Sequence, residues 1–262
     1  MPFQYKTVLL IGATSGIGAA MADRLVQEGS TVIAVGRRQD RLDAFVKKHG
    51  QEKASSAVFD IGDRTSIDGF VNNITKKHPD LDCVFLNAGT QNRYDLGQPT
   101  KVDLGQFHDE VNVNFSSMVD LSIKFLPFLM SKDSPTSIAF TDTHLGIIPA
   151  APISAYSASK AALNSFILCL REQLEAQNAQ VKVIDIWAPV VQTELHDYMG
   201  EEKGRQMGMP VNDFVDQAYK AMVSGQEQIL IGAIGPQEAF YDLVEKRRST
   251  FQFLAKAMRG MT

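Results

Sequence analysis

The chain has 262 residues, of which 44% are apolar and 21% are charged, with 26 basic and 30 acidic side chains. This composition is typical of a globular protein with a full hydrophobic core. The near balance of charge argues against nucleic acid or an acidic membrane as the main partner. The two cysteines, Cys83 and Cys169, lack the spacing of a metal site, so we expect neither a metal nor a structural disulfide.

The first residues do not resemble a targeting signal. Met1–Lys6 lacks the charged flank and the apolar stretch of a signal peptide, and no apolar run in the chain approaches the length of a membrane span. We therefore expect a cytoplasmic protein that does not cross a membrane.

Strand-like apolar segments alternate with segments of helical period along the whole chain. The predicted strands are Thr7–Ile11, Thr31–Val35, Ser56–Phe59, Cys83–Leu86, Ser137–Thr141, Val181–Trp187 and Gln228–Ile231. The predicted helices between them are Gly16–Gln27, Arg41–His49, Ser66–Lys77, Gln106–Met130 and Tyr156–Asn178. This order predicts one α/β domain over residues 1–262, a Rossmann-like, doubly wound parallel sheet of about seven strands with helices on both faces. Its ligand crevice is expected at the carboxyl ends of the strands.

Two segments depart from this alternation. Glu194–Asp213 is rich in glycine, methionine and charge, and it is interpreted either as a mobile substrate flap over the crevice or as an ordinary surface connection. Gln237–Met258 has helical period, and acidic residues dilute its basic face. That pattern favours a packed or subunit-contact helix over a helix lying on a membrane.

A glycine-rich run follows the first predicted strand and reads Gly12-Ala13-Thr14-Ser15-Gly16-Ile17-Gly18. Gly12 permits a tight turn, Gly16 lets the backbone approach a phosphate, and Gly18 lets the next helix pack closely on the strand. The start of that helix offers free N–H groups and a positive dipole end to a pyrophosphate. We therefore predict a dinucleotide site formed by Gly12, Thr14, Ser15, Gly16, Ile17 and Gly18.

The end of the second strand bears on the choice of dinucleotide. An acidic residue there would bind the ribose 2′-hydroxyl and repel a 2′-phosphate, but this chain has Gly36 followed by Arg37 and Arg38. Guanidinium groups pair well with phosphate, so NADP(H) is favoured over NAD(H). A solvated basic turn at the start of a helix is the alternative.

Tyr156 and Lys160 lie four residues apart in a predicted helix and therefore share one face. A phenol beside an ammonium, facing a bound nicotinamide, can give or take a proton while a hydride is transferred. The pKa of tyrosine is ordinarily ~10, and Lys160 together with a positive nicotinamide ring would lower it. The alternative is a half-exposed tyrosine and a solvated lysine on a surface helix.

These motifs, in this order, resemble the short-chain dehydrogenase/reductase superfamily over roughly residues 6–232, in its compact branch with Tyr-x-x-x-Lys. The family's glycine pattern is Thr-Gly-x-x-x-Gly-Ile-Gly, and Ile11 stands in place of its threonine. The resemblance implies an oxidoreductase that interconverts a carbonyl group and an alcohol, with Tyr156 as acid/base and Lys160 also on the nicotinamide ribose. It also implies a homodimer or homotetramer.

Further cofactor contacts follow from the same resemblance. Asp60 and Ile61 match the pair that the family places beside the adenine, and Asn87-Ala88-Gly89 matches its signature after the fourth strand. A helix cap at Asp60 and a simple turn at the asparagine-alanine-glycine segment are the alternatives.

Two more catalytic candidates are implied by the resemblance. Thr143 stands thirteen residues before Tyr156, where the family has serine, and its hydroxyl can still bond a substrate carbonyl while its methyl narrows the pocket. Asn114 matches a helix asparagine that holds a water between Lys160 and solvent. The alternatives are a β-branched strand residue at 143 and a buried amide bonded to backbone at 114.

The clearest departure from the family lies after the sixth strand. The family has Pro-Gly-x-Val/Ile-x-Thr, and this chain has Ala188-Pro189-Val190-Val191-Gln192-Thr193. Pro189, Val191 and Thr193 are assigned to the nicotinamide contact, although proline lacks the N–H that glycine has. Together with Thr143, this departure leaves open a catalytically weakened, NADP-binding regulatory or scaffold protein.

The expected substrate is a small apolar ketone, aldehyde or alcohol. The crevice that would hold it is predicted near Tyr94, Leu145, Ile147, Ile148, Met199 and Met207.

Overall fold

A computed structural model describes residues 5–259 of the chain. Most of the N-terminal segment considered above, Met1–Gln4, and the last residues of the predicted domain, 260–262, lie outside the described residues.

Seven strands form one parallel sheet within residues 5–259. The strands are β1 (Thr7–Ile11), β2 (Thr31–Gly36), β3 (Ala54–Val58), β4 (Cys83–Leu86), β5 (Thr136–Thr143), β6 (Val181–Ala188) and β7 (Gln228–Leu230). Their order in the sheet is β3-β2-β1-β4-β5-β6-β7, and every neighbouring pair is parallel. The order reverses between β1 and β4, which opens a crevice at the carboxyl ends of these strands. The predicted doubly wound α/β fold is confirmed.

The α-helices alternate with the strands along the chain. They are α1 (Gly16–Gln27), α2 (Gln39–His49), α3 (Ile67–Lys77), α4 (Leu104–Val111), α5 (Ser117–Met130), α6 (Ser154–Ala176), α7 (Glu201–Gln206), α8 (Val211–Val223) and α9 (Gln237–Arg259).

The strands are continuous apolar runs because both faces of a parallel sheet are covered. In β1, Val8 and Leu10 point to one face and pack in a core that includes Phe214 of α8. Leu9 and Ile11 point to the opposite face, where the core includes Phe125 of α5. Each face therefore has its own hydrophobic core, and helices shield the sheet on both sides.

The predicted long helix 106–130 has a break that the sequence pattern did not show. A single π-helical turn, Asn112–Ser116, separates α4 from α5 and contains the buried Asn114. The helical stretch Leu104–Met130 is long and apolar enough, by length and composition, to cross a membrane. The expectation that no segment reaches this length was therefore wrong; in the fold this stretch buries Leu121 and Phe125 under the sheet.

The segment interpreted as a flap contains ordered short helices. A 3₁₀ helix, Glu194–Met199, is followed by α7, and α8 begins at Val211. The segment is fastened at its base, because the N–H groups of Met209 and Gln192 donate to Val190 O and Met209 O, each at 2.9 Å. Its proposed mobility stays a prediction.

The C-terminal helix α9 contributes its first half to a hydrophobic cluster, and Arg259 at its end pairs with Glu172 of α6. Phe240 and Val244 are buried against Trp187 of β6. Its second half exposes Phe253, Leu254 and Met258. Packing therefore places the start of α9 behind the end of β6, close to the crevice.

Candidate active site

A cleft of about 820 Å³ lies at the carboxyl ends of the strands. Most of the residues predicted to bind cofactor or substrate line it, namely Gly12, Thr14, Ser15, Gly16, Ile17, Arg37, Arg38, Asp60, Ile61, Asn87, Ala88, Gly89, Thr143, Tyr156, Lys160, Pro189, Val191 and Thr193. Among the predicted cofactor and catalytic residues, Gly18 and Asn114 are the exceptions. Among the predicted substrate residues, Leu145 lines the cleft, whereas the lining does not include Tyr94, Ile147, Ile148, Met199 and Met207. The fold therefore brings together segments that are about 180 residues apart in the chain.

The glycine turn is held so tightly that side chains have no room. Gly12 has φ +91°, and a Cβ there would lie 2.6 Å from the Ala88 backbone. A Cβ on Gly18 would lie 2.0 Å from Gly12 O. The turn therefore leaves a backbone cradle before the N-terminus of α1, and these residues fit the pyrophosphate of a dinucleotide.

Asn87 locks that turn to the neighbouring strands. Its Nδ2 donates to Gly12 O at 3.0 Å, and its Oδ1 accepts from Thr141 Oγ1 at 2.8 Å. The side chain of Asn87 thus bridges the glycine turn and the end of β5. It has a structural role that the simple turn, considered as the alternative, would not give it.

The arginines at the end of β2 have different surroundings. Arg37 is 74% exposed and reaches Asp60 at 3.7 Å. Arg38 folds back onto the glycine turn, where its Nε donates to Thr14 Oγ1 at 3.1 Å. Its Nη1 also pairs with Glu194 at 2.7 Å. Arg38 therefore already has an anionic partner before any phosphate binds.

Sequence reasoning missed two members of this cluster. Arg41 donates to Thr14 O at 3.0 Å and pairs with Glu194 at 2.7 Å. Arg41 could have been found, because it lies one helical turn beyond Arg38. Glu194 could not, because more than 150 residues separate it from both arginines and no local pattern connects them.

Tyr156 and Lys160 are both buried on the inner face of α6. Lys160 Nζ donates to Thr141 O at 2.8 Å and lies 5.9 Å from the centre of the Tyr156 ring. The two side chains therefore share one site, and the alternative of a half-exposed tyrosine and a solvated lysine is wrong.

The protein alone raises the pKa of Tyr156, and the lowering expected from Lys160 with a positive nicotinamide ring stays a prediction. Burial raises this pKa, and the carboxylates of Asp142 and Glu110 raise it further. Burial also lowers the pKa of Lys160, while Asp142 opposes that change. Desolvation and nearby negative charge therefore favour the neutral phenol of Tyr156.

Thr143 ends β5 opposite Ala188 of β6. Its Oγ1 donates to Ala188 O at 3.1 Å and accepts from Leu145 N at 3.4 Å. The neighbouring His144 packs edge-on against Phe240 at 4.8 Å between ring centres, and burial lowers the pKa of His144 to about 4. Thr143 thus has its hydroxyl at the cleft, while His144 is neutral at pH 7.

Asn114 makes the backbone contacts considered as its alternative role. Its Oδ1 accepts from Thr90 N at 2.9 Å, and its Nδ2 donates to Thr90 O at 2.8 Å. The same Nδ2 reaches Ser159 Oγ at 3.3 Å, and Ser159 Oγ donates to Tyr156 O at 2.8 Å. Asn114 therefore positions the loop after β4 and the backbone of α6; the water relay stays a prediction.

The segment after β6 closes the cleft against the glycine turn. A Cβ on Gly16 would meet the Thr193 side chain at 3.0 Å, so Thr193 packs directly on the turn. Pro189 and Val191 line the same wall. Pro189 leaves this segment with one N–H fewer, and its contact with a nicotinamide stays a prediction.

The substrate end of the cleft is more polar than expected. Leu145 lines it, but Ile147 and Ile148 pack against the Trp187 cluster instead. The buried carboxylate of Glu110 accepts from Asn92 Nδ2 at 2.8 Å and from Tyr94 OH at 3.1 Å, and burial raises the pKa of Glu110. Glu110 was missed because an acid at one position of a helix is ordinarily a solvated residue.

The sequence of the chain matches a known family. A family model described as short chain dehydrogenase matches residues 6–204, which is most of the chain. The chain belongs to this family. Membership of this oxidoreductase family, inferred from the motifs, is confirmed.

Individual relatives cover most of this chain. The uncharacterized oxidoreductase DltE of Bacillus subtilis is 32% identical over 87% of this chain and 89% of its own length. The benzil reductase IRC24 of Saccharomyces cerevisiae is 31% identical over 77% of each chain. A short chain dehydrogenase/reductase from Burkholderia phymatum, solved with NAD, superposes with a TM-score of 0.79 at 16% identity, covering 88% of this chain and 90% of that one.

Proposed function

We propose that the protein is an NADP(H)-dependent oxidoreductase that interconverts a carbonyl group and an alcohol, with Tyr156 as its acid/base. The observation that carries this proposal is that Tyr156 and Lys160 are buried side by side in the cleft that begins at the glycine turn. A nicotinamide bound there would supply or accept the hydride. The side chains then have to hold the substrate and move one proton.

Tyr156 is the proton donor in this proposal. Burial and the nearby carboxylates favour its neutral form, so its O–H is available to a substrate oxygen that gains negative charge during reduction. Lys160, held in place by Thr141 O, stabilises the phenolate that remains. In the reverse direction the phenolate takes the proton from an alcohol.

Thr143 is proposed to orient the substrate carbonyl. Its hydroxyl hydrogen must turn from Ala188 O towards the cleft to do so. The free energy of that exchange is small, because one hydrogen bond replaces another.

The preference for NADP(H) is supported by the basic end of β2. Arg37 and Arg38 both line the cleft, and position 36 has no carboxylate to repel a 2′-phosphate. Asp60 beside Arg37 lines the same region.

The proposed substrate is a small ketone, aldehyde or alcohol. Leu145, Ala233 and Ile234 contribute apolar surface to the cleft. The relative named benzil reductase supports a carbonyl compound as the substrate class. The buried Glu110 adds one polar side to this end of the cleft.

A non-catalytic nucleotide-binding protein of the same fold is the second candidate. Two observations favour it: the Thr143 hydroxyl is bonded to Ala188 O, and Pro189 provides no N–H to a nicotinamide carboxamide. Such a protein would bind NADPH tightly and turn over no carbonyl compound.

A screen of ketones and aldehydes with NADPH, followed by loss of nicotinamide absorbance, separates the candidates. For an enzyme we expect turnover that Tyr156→Phe reduces by about 10² to 10⁴-fold, since one acid/base group is removed. The NADP⁺ affinity of this variant should stay within about twofold of the wild-type affinity, because the phenol acts on the substrate rather than on the cofactor. Tyr241→Phe, on α9 and away from the cleft lining, is the matched control and should keep full turnover.

Undiminished turnover in Tyr156→Phe would exclude the proposed acid/base. Tight NADPH binding without turnover of any carbonyl compound would favour the second candidate. Self-association and a cytoplasmic location stay predictions from the sequence, which sedimentation and cell fractionation would test.

A further inference from the structure

One carboxylate spans the cleft at the position where a 2′-phosphate is expected. Glu194, which follows the segment after β6, pairs through Oε2 with Arg38 Nη1 and through Oε1 with Arg41 Nη1, each at 2.7 Å. Each oxygen of Glu194 therefore has its own guanidinium. This is the arrangement in which arginines ordinarily hold a phosphate.

The arginines themselves are held in place by the glycine turn. Arg38 donates from both Nε and Nη2 to Thr14 Oγ1 at 3.1 Å, and Arg41 donates to Thr14 O at 3.0 Å. Since the turn is rigid, Arg38 and Arg41 form a fixed pair of cationic donors. Glu194 supplies the negative charge that this pair would otherwise take from a ligand.

Glu194 is ionised in this setting. Partial burial opposes its charge, but hydrogen bonds from Arg38 and Arg41 lower its pKa overall. A bound phosphate and this carboxylate would repel each other and would compete for the same N–H groups. A 2′-phosphate therefore has to displace Glu194 from Arg38 or share the arginine with it.

We propose that Glu194 is a specificity-determining residue that occupies Arg38 and Arg41 in place of the 2′-phosphate and so lowers the affinity for NADP(H) relative to NAD(H). The inference builds on the dinucleotide site of the proposed function and concerns the degree of selectivity at that site. The preference between NADP(H) and NAD(H) is then a balance: Arg38 and Arg41 favour NADP(H), and Glu194 opposes them.

A second position for the displaced side chain is available. Glu194 and Arg205 of α7 both line a neighbouring cavity of about 580 Å³, beside the glycine turn. Arg205 is bound to Asp197 at 2.7 Å. Once displaced from Arg38 by a 2′-phosphate, the carboxylate of Glu194 would enter this cavity.

The test is the ratio of the NAD⁺ and NADP⁺ dissociation constants, measured by calorimetry for the wild type and for Glu194→Gln. The two nucleotides differ only in the 2′-phosphate, so effects on the shared parts cancel in the ratio. We expect Glu194→Gln to shift the ratio about tenfold towards NADP⁺, as expected for removing one negative charge beside a bound anion.

Asp197→Asn is the matched control. Asp197 lies in the same 3₁₀ helix and pairs with Arg205 rather than with Arg38. The ratio of the NAD⁺ and NADP⁺ dissociation constants in Asp197→Asn should therefore stay within about twofold of the wild-type ratio. In a background with both Arg38→Ala and Arg41→Ala, Glu194→Gln should likewise change the ratio by less than about twofold, because the competition takes place at these two arginines. Equal thermal melting of all variants shows that each one folds.

Each outcome separates this inference from the proposed cofactor preference. A wild type that prefers NADP⁺, with an unchanged ratio in Glu194→Gln, overturns the role of Glu194 alone. A wild type that prefers NAD⁺, with a shift towards NADP⁺ in the variant, supports the role of Glu194 and overturns the proposed preference. Failure of both nucleotides to bind either protein overturns both.

Discussion

Gly18 packs against Gly12 so closely that a Cβ on Gly18 would lie 2.0 Å from Gly12 O. This contact seats the first turn of α1 directly behind the glycine turn. The backbone cradle for a pyrophosphate therefore depends on the absence of a single methyl group.

Gly18→Ala should destabilise the protein and abolish dinucleotide binding, because the added methyl must push α1 away from the turn. Gly69→Ala in α3 is the control, since nothing lies within 4 Å of a Cβ at that position. The control should be stabilised by roughly 0.5–1 kcal/mol, as for alanine replacing glycine in a helix. Urea denaturation and NADP⁺ calorimetry measure both effects, and full nucleotide binding by Gly18→Ala would contradict the packing argument.

Thr143→Val should lower turnover by about 10² to 10³-fold, because the hydroxyl that orients the carbonyl is removed while the shape is kept. Thr143→Ser keeps the hydroxyl and removes the methyl, so it should retain turnover and accept bulkier carbonyl compounds. Steady-state kinetics with a series of ketones of increasing size checks both. Equal turnover in Thr143→Val and the wild type would show that the Thr143 hydroxyl bonds Ala188 O and does not orient the substrate.

Asp185 should make the protein less stable as the pH rises. Burial raises its pKa to about 7, and the Asp142 carboxylate adds to the shift. Between the ordinary carboxyl pKa and about pH 7, the folded state holds a proton on Asp185 that the unfolded state has lost. The contribution of Asp185 to the unfolding free energy is therefore fully present below the ordinary carboxyl pKa and is lost as the pH rises through about 7.

Asp185→Asn should reduce the loss of unfolding free energy between about pH 5 and about pH 8 by about 1 kcal/mol or more. The asparagine oxygen can still accept from Trp187 Nε1, which lies 2.6 Å from Asp185 Oδ2. Urea denaturation at several pH values gives the comparison, with Asp133→Asn on the exposed turn before β5 as control. If the unfolding free energy of Asp185→Asn and of the wild type depends on pH in the same way, Asp185 is not the cause of the loss of stability.

Phe125→Ala should cost about 3–5 kcal/mol of unfolding free energy, because a fully buried ring in the core under the sheet leaves a cavity. Phe253→Ala, in the outer half of α9 where the side chain is 76% exposed, should cost less than about 0.5 kcal/mol. Denaturation of both variants by urea measures the difference. A similar cost for the two would mean that the second half of α9 is covered in solution.

The fold was predictable because its signals are local. Each strand of a covered parallel sheet is an apolar run, and the first βα junction has glycine where the backbone adopts a positive φ, at Gly12. Tyr156 and Lys160 could be paired from their helical spacing alone. Strand ends were less exact: β5 continues to Thr143 because it pairs with Ala188, which the pattern of a single strand does not show.

The parts that were missed depend on distant contacts. The bridge from Glu194 to Arg38 joins residues 156 positions apart, and its members look like ordinary surface charges. The sequence predicts a lowered pKa for Tyr156 from Lys160 and a bound nicotinamide ring, but it does not show the burial and the carboxylates of Asp142 and Glu110, which raise this pKa in the protein alone. The π turn at Asn114 depends on backbone hydrogen bonding rather than on residue type.

Thr141 serves both halves of the site at once. Its hydroxyl donates to Asn87, which fastens the glycine turn, and its carbonyl oxygen receives Lys160 Nζ. The end of β5 thus sets the spacing between the glycine turn and the Tyr156–Lys160 pair. Changes in the loops beyond Thr143 and Pro189 can therefore diversify which molecules are accepted while the reacting groups keep their alignment.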